Sequence, residues 1–116
     1  MIAADEPEIE SAAQKLREFD VAVDAVETDL ATLNGVDKLY RALANGRQVD
    51  ALLANAGRGL GNAFLDQNFQ QVRRVIDTNI TGTLYLVHKV GRQAEPTVAI
   101  GIWSSAPGNW CVENIF

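Results

Sequence analysis

Val49-Asp50-Ala51-Leu52-Leu53-Ala54-Asn55-Ala56-Gly57-Arg58-Gly59-Leu60-Gly61 is the stretch on which the fold turns. Its first half, Val49 to Ala54, is short and mostly apolar, the pattern of a strand buried on both faces. Its second half is a glycine-rich loop whose backbone other groups can approach closely. Helices border it on both sides. Before it, Thr32 is an acceptable N-cap, Val36, Leu39, Tyr40 and Leu43 make an apolar stripe, and Gly46 is placed to end the helix. After it, the longest helix runs from about Asp66 to Arg92, with Val72, Ile76, Ile80, Thr83, Val87 and Val90 along one face. Farther out, Val21 to Val26 is a β-branched strand ending in Glu27-Thr28-Asp29-Leu30. Pro7 to Phe19 reads as a helix with Ile9, Ala13, Leu16 and Phe19 on one face. Glu95-Pro96 breaks the long helix, and Thr97 to Ile102 is a third strand. Helices alternating with short apolar strands predict an α/β chain: a doubly wound parallel sheet in three α/β/α layers. The pattern opens in mid-course, because the first helix has almost no strand before it.

Composition narrows the function. The chain has 116 residues, 47% hydrophobic and 22% charged, an ordinary globular mix with room for one domain over 1–116. No apolar run approaches the roughly 18 residues that a membrane helix needs. Met1 to Glu10 carries four acids and no base, the opposite of a signal or transit peptide. One cysteine, Cys111, leaves no intrachain disulfide and no thiolate metal site, and a reducing cytoplasmic setting is expected. The acids concentrate in residues 1–30, nine of them against Lys15 and Arg17. A pI near 4.7 with no basic cluster opposes binding to a phosphate backbone, so nucleic acid is excluded as a partner.

Three short pieces stand in register: Asp29-Leu30 at the end of one strand, Leu53-Ala54-Asn55-Ala56-Gly57 at the end of the next, and Asp77-Thr78-Asn79-Ile80-Thr81-Gly82-Thr83 inside the long helix. In order and spacing they resemble the Asp-Leu, Asn-Asn-Ala-Gly and Asn-x-x-Gly pieces of the short-chain dehydrogenase/reductase family. The resemblance covers about residues 8–93, with a divergent tail over 94–116, and Ala54 stands where the family has its first Asn. It implies a partial Rossmann-like domain of an NAD(P)-dependent oxidoreductase acting between an alcohol and a carbonyl. It further implies that Asp29 accepts from the adenine amino group, that the Leu30 N–H supports the ring, and that Ala56 and Gly57 flank the cofactor. Asn55 would stabilise the core of the sheet. Asn79 would hold a water linking a catalytic Lys to solvent, and Ser105, with Ser104 before it, stands where the family orients substrate. The long helix, 66–92, would pair with its copy in a homo-oligomer. NAD and NADP are not separated: Asp5 would bind a ribose hydroxyl and favour NAD, or serve as a helix-start acid. Two family features are missing, a Gly-rich phosphate turn before Pro7 and a Tyr-x-x-x-Lys after the third strand. The chain therefore reads as an interior piece of a longer enzyme, or as a catalytically inactive remnant or interaction domain.

Other patterns are weaker. Gly57-x-Gly59-x-Gly61 fails the dinucleotide fingerprint, which wants Gly or Ala where Asn62 stands, and reads as a flexible loop. Tyr85-x-x-x-Lys89 matches the catalytic pair in letters, but it precedes the third strand and reads as structural. Asn79 shares the apolar face of its helix, where an amide must find hydrogen-bond partners. His88 and Cys111 have no partners for a triad or a metal site, and no metal is expected.

Overall fold

The computed structural model describes residues 1–45, 48–93 and 98–102. Among these residues four strands and four helices follow in the order β1 (Ile2–Ala4), α1 (Ile9–Arg17), β2 (Ala25–Glu27), α2 (Leu33–Leu43), β3 (Ala51–Ala54), α3 (Phe69–Ile76), α4 (Thr83–Gln93) and β4 (Ala99–Ile102). A 3₁₀ turn, Phe64–Asp66, precedes α3, and one π-helical segment, Asp77–Gly82, joins α3 to α4. The expected terminator Gly46, the Glu95-Pro96 break and the Ser104-Ser105 pair lie outside the described residues, as does Cys111.

Among the described residues all strand pairing is parallel, in two pairs. β1 runs beside β2 with Ile2 opposite Ala25 and Ala4 opposite Glu27, and β3 runs beside β4 with Ala51 opposite Ala99 and Ala54 opposite Ile102. β1 corrects the expectation of no strand before Pro7. Its three residues are too few to show a period, and the ladder with β2 makes it a strand.

The core forms where α2 meets α4 over β4. Val36 and Leu39 of α2 pack with Leu86 and Val90 of α4 and with Val98 and Ile100, and Val26, Leu30 and Leu52 lie against them. Ala13 of α1 is fully buried yet stands outside that cluster, in a helix that packs on β1 and β2. Thr32 caps α2 as its sequence predicts, its hydroxyl accepting from the Gly35 N–H at 3.0 Å. The apolar stripe of α1 is only half used: Leu16 and Phe19 are exposed.

The long helix departs from the sequence reading in two places. It begins at Phe69 rather than near Asp66, because Asn68 caps it by accepting from the Gln70 N–H at 2.8 Å. The π segment then inserts one residue into the helical repeat. From its start onward the buried positions are Thr78, Gly82, Thr83, Leu86 and Val90, while Ile76 and Ile80 are half exposed. A stripe drawn at constant 3.6-residue spacing cannot pass through such a turn.

Candidate functional site

The carboxyl ends of β1, β2 and β3 come together through polar side chains, the position at which open parallel sheets hold ligands. At the end of β2 the chain continues the ladder for one more bond, Thr28 N–H donating to the Ala4 carbonyl at 2.7 Å. The buried Thr28 hydroxyl donates to the Gly35 carbonyl at 2.9 Å, tying the strand to α2. Asp29 then turns the backbone: its Oδ1 accepts from the Ala31 N–H at 3.0 Å, and its carbonyl accepts from the Thr32 hydroxyl at 2.9 Å.

Two glycines press on this turn, Gly35 of α2 and Gly82 of the π segment. A Cβ on Gly35 would lie 1.9 Å from the Asp29 carbonyl oxygen, and one on Gly82 would lie 1.9 Å from the Leu30 carbonyl oxygen. Neither space exists for a side chain. The backbone of Asp29-Leu30 is therefore held close against α2 at Gly35 and against the π segment at Gly82.

The loop after β3 is held by Asn79. Its Oδ1 accepts from the Arg58 N–H at 2.9 Å, and its Nδ2 donates to the Arg58 carbonyl at 3.0 Å. This corrects the expectation of an amide buried on the apolar face: Asn79 is exposed, because the π segment rotates it off the core stripe, and both ends of its amide grip one loop residue. Gly57, next to that residue, is uncrowded. A Cβ there would meet only Asn79 Oδ1 at 3.7 Å and the Asn55 carbonyl at 3.9 Å. Asn55 is exposed at the end of β3 rather than set into the sheet core, and Ala56 is half-buried. Ser105 lies outside the described residues, so no geometry accompanies it.

Arginines link the pieces. Arg58 donates from its terminal nitrogen to Asp5 Oδ2 at 2.9 Å, across from the end of β3 to the end of β1. Arg74 of α3 donates to Asp29 Oδ2 at 2.9 Å and lies 3.6 Å from the same Asp5 oxygen. Asn79, Arg58, Asp5, Arg74 and Asp29 thus form one continuous chain of contacts. Asp5 is not a free carboxylate, and Arg58 and Arg74, which carry no local sequence signal, are the residues that sequence reasoning missed.

Tyr85 and Lys89 take no part. Lys89 Nζ is hydrogen-bonded to Asp37 Oδ1 on α2, and the Tyr85 hydroxyl donates to the same oxygen at 3.1 Å. The ammonium also lies 4.7 Å from the Tyr40 ring centre and 5.0 Å from that of Tyr85. The hydrogen bond from Lys89 holds the Asp37 carboxyl below its ordinary value, and the same bond holds the Lys89 ammonium above its own. The cluster is a clasp between α2 and α4, as its place in the sequence predicts. Among the described residues, no group of three or more His, Cys, Asp or Glu side chains is placed to hold a metal ion. Nor is any described helix long and apolar enough to cross a membrane.

Parallel strands joined through helices, with a polar site at their carboxyl ends, define a Rossmann-type α/β domain. A family profile described as short chain dehydrogenase matches residues 1–106, wider at both ends than the stretch that carries the resemblance. The chain belongs to the short-chain dehydrogenase family. Over 82 residues it is 29% identical to an NADP-dependent mannitol dehydrogenase of Aureobasidium melanogenum, covering 70% of this chain and 31% of that protein. Among solved structures it is similar to a bulky-bulky ketone specific alcohol dehydrogenase from Comamonas testosteroni, with a TM-score of 0.76 and 26% identity over 86% of this chain and 42% of that one. A short-chain dehydrogenase from Sphingobium yanoikuyae in complex with NADPH gives a TM-score of 0.75 and 26% identity over 86% of this chain and 41% of that one. The chain spans less than half the length of these relatives.

Proposed function

We propose that residues 1–116 are one partial NAD(P)-binding domain of an oxidoreductase that interconverts a small alcohol and its carbonyl. The observation that carries the reading is the joining of Asp29, the Gly57-Arg58 loop and Asn79 into one site at the carboxyl ends of parallel strands. The residues present fit an adenine dinucleotide. The Gly57 backbone has room around it, the Asp29 side chain is 33% exposed, and Arg58 carries an unpaired donor. Asp29 and Leu30 would hold the adenine, and Ala56 and Gly57 would lie against a ribose. Asn79 would act as a positioning residue that fixes the loop after Gly57. The nicotinamide would supply or accept the hydride, and the protein would orient it and exclude water. The cofactors named for the mannitol dehydrogenase and the Sphingobium structure support NADP as one of the two candidates. Ser105 is the proposed substrate-orienting hydroxyl, and a homo-oligomer assembled through residues 66–92 and a cytoplasmic setting complete the proposal.

Titrating NADH and NADPH into the 116-residue chain, with nicotinamide fluorescence as readout, tests it. Saturable binding that Gly57→Val abolishes without lowering the melting temperature is expected. Absence of binding by either cofactor at millimolar concentration would overturn the reading. A second reading, an inactive remnant or interaction domain of the same fold, is favoured by one observation: the Tyr85-x-x-x-Lys89 pair is committed to Asp37. Turnover of any alcohol or carbonyl by this chain would exclude it.

A further inference from the structure

We propose that Asp37, Tyr85 and Lys89 are positioning residues for the nucleotide site: by drawing α2 and α4 together they set the shape of the turn Asp29-Leu30. The inference rests on the nucleotide-binding reading above and adds to it the groups that fix the turn. Among the described residues none of the three bonds to that turn, so they act through the helices that carry them.

Three observations carry it. First, the clasp is a built junction rather than a chance surface pair. Asp37 Oδ1 accepts from Lys89 Nζ and from the Tyr85 hydroxyl, and the ammonium lies 4.7 Å and 5.0 Å from the Tyr40 and Tyr85 ring centres. Asp37 and Tyr40 come from α2, Tyr85 and Lys89 from α4. The side chains of Asp37 and Lys89 are each 24% exposed, so solvent screens this pair less than a fully exposed one. Second, the clasp stands on the two helical elements that press on the turn. Asp37 lies two residues beyond Gly35. Tyr85 and Lys89 lie three and seven residues beyond Gly82, on the same face of the helix. At about 1.5 Å per residue, the clasp is about 3 Å along α2 from one glycine and about 10 Å along α4 from the other. Third, the glycine contacts have no slack. A Cβ on Gly35 or Gly82 would lie 1.9 Å from the Asp29 or Leu30 carbonyl oxygen, so backbone meets backbone with no side chain between them to absorb a shift.

Contact of this kind is one-sided. It limits how closely the helices approach the turn, but it does not draw them in. Val36 and Leu39 against Leu86 and Val90 supply attraction between α2 and α4 without fixing a direction. The clasp adds two hydrogen bonds to one oxygen, and these weaken steeply with distance and angle. Freed of it, the two helices part and the turn held against Gly35 and Gly82 loosens.

Two measurements on the full chain test it, for wild type and for the Lys89→Gln, Lys89→Arg and Tyr85→Phe variants. One is titration of NADH and NADPH followed by nicotinamide fluorescence, the other amide exchange followed by NMR. The Ala31 N–H, bonded to Asp29 Oδ1 at 3.0 Å, and the Thr32 N–H, bonded to the Asp29 carbonyl at 3.2 Å, report the turn. The Ala99 N–H, bonded to the Asp50 carbonyl at 3.1 Å, reports the strands. Lys89→Gln is expected to weaken cofactor binding by roughly three- to tenfold and to quicken exchange at Ala31 and Thr32 by about as much, with Ala99 unchanged. Lys89→Arg keeps the charge and the donors and should restore most of the loss. Tyr85→Phe removes one bond of the two and should fall between, and it decides the matter if Lys89→Gln does not fold. If affinity stays at the wild-type value, or exchange quickens equally at all three amides, the clasp is only structural: the proposal falls and the nucleotide reading stands. If the wild type binds neither cofactor, both fall.

Discussion

Gly82→Ala sets two effects of opposite sign against each other. Gly82 ends the π segment inside a long helix, where alanine is the better helix former by about 1 kcal/mol. Propensity alone therefore forecasts stabilisation. The structure forecasts the reverse. The new Cβ would lie 1.9 Å from the Leu30 carbonyl oxygen, 3.1 Å from its carbon and 3.2 Å from the Asp77 carbonyl oxygen. Real Cβ contacts begin near 3.0 Å, so the helix or the turn after β2 must retreat by about 1.1 Å. The obstacle is backbone, and no rotamer relieves it. Forcing one extra carbon into close packing costs about 1–3 kcal/mol, and a rigid obstacle places this position at the upper end. The net expectation is a loss of about 2 kcal/mol, equivalent to roughly 8 °C in melting temperature for a chain of this size. Urea and thermal unfolding followed by circular dichroism measure it. Gly59→Ala is the control: its Cβ would meet nothing within 4 Å, and its stability should stay within about 0.5 kcal/mol of wild type. A Gly82→Ala chain as stable as wild type, or more so, would refute the clamp on Leu30.

Other outcomes follow from the same contacts. The Asp37 carboxyl is held low by Lys89, so the clasp contributes fully above about pH 4 and is lost as pH falls through the lowered value. Asp37→Asn should flatten that acid limb of melting temperature against pH. Lys89 is held high by the same bond, so its contribution persists below the ordinary lysine value and is lost only as pH rises through the raised one. The alkaline limb should therefore lie above that ordinary value in wild type. Asn79→Ala removes both bonds to Arg58, and amide exchange at Arg58 should quicken by about tenfold or more while the core amides of Leu86 and Val90 keep their protection. Phe69 and Leu84 are 73% and 58% exposed, and sedimentation should show self-association that Phe69→Glu with Leu84→Glu abolishes; a wild-type monomer at all concentrations would count against assembly through residues 66–92.

What the sequence disclosed, it disclosed locally. Asp29-Leu30 and Asn55-Ala56-Gly57 were legible because a strand end followed by small or acidic residues is a pattern within one short window. Arg58 and Arg74 were not, since each acquires its meaning from a carboxylate 53 or 45 residues away. Gly82 was legible as part of a spacing with Asn79, but its reason, the Leu30 carbonyl against its Cα, belongs to two distant segments. The misreading of the long helix is the more instructive failure. One extra residue in the turn Asp77–Gly82 broke the 3.6-residue stripe, so Asn79 was assigned to the core when it faces the loop after β3. The same insertion brings Gly82 against Leu30 while Asn79 reaches Arg58. A regular helix through these positions, without the inserted residue, would shift one contact out of register with the other. The place where the periodic pattern fails is thus the place where the helix touches both strand ends at once. A local rule broken at the candidate site is what consistency across levels leads one to expect.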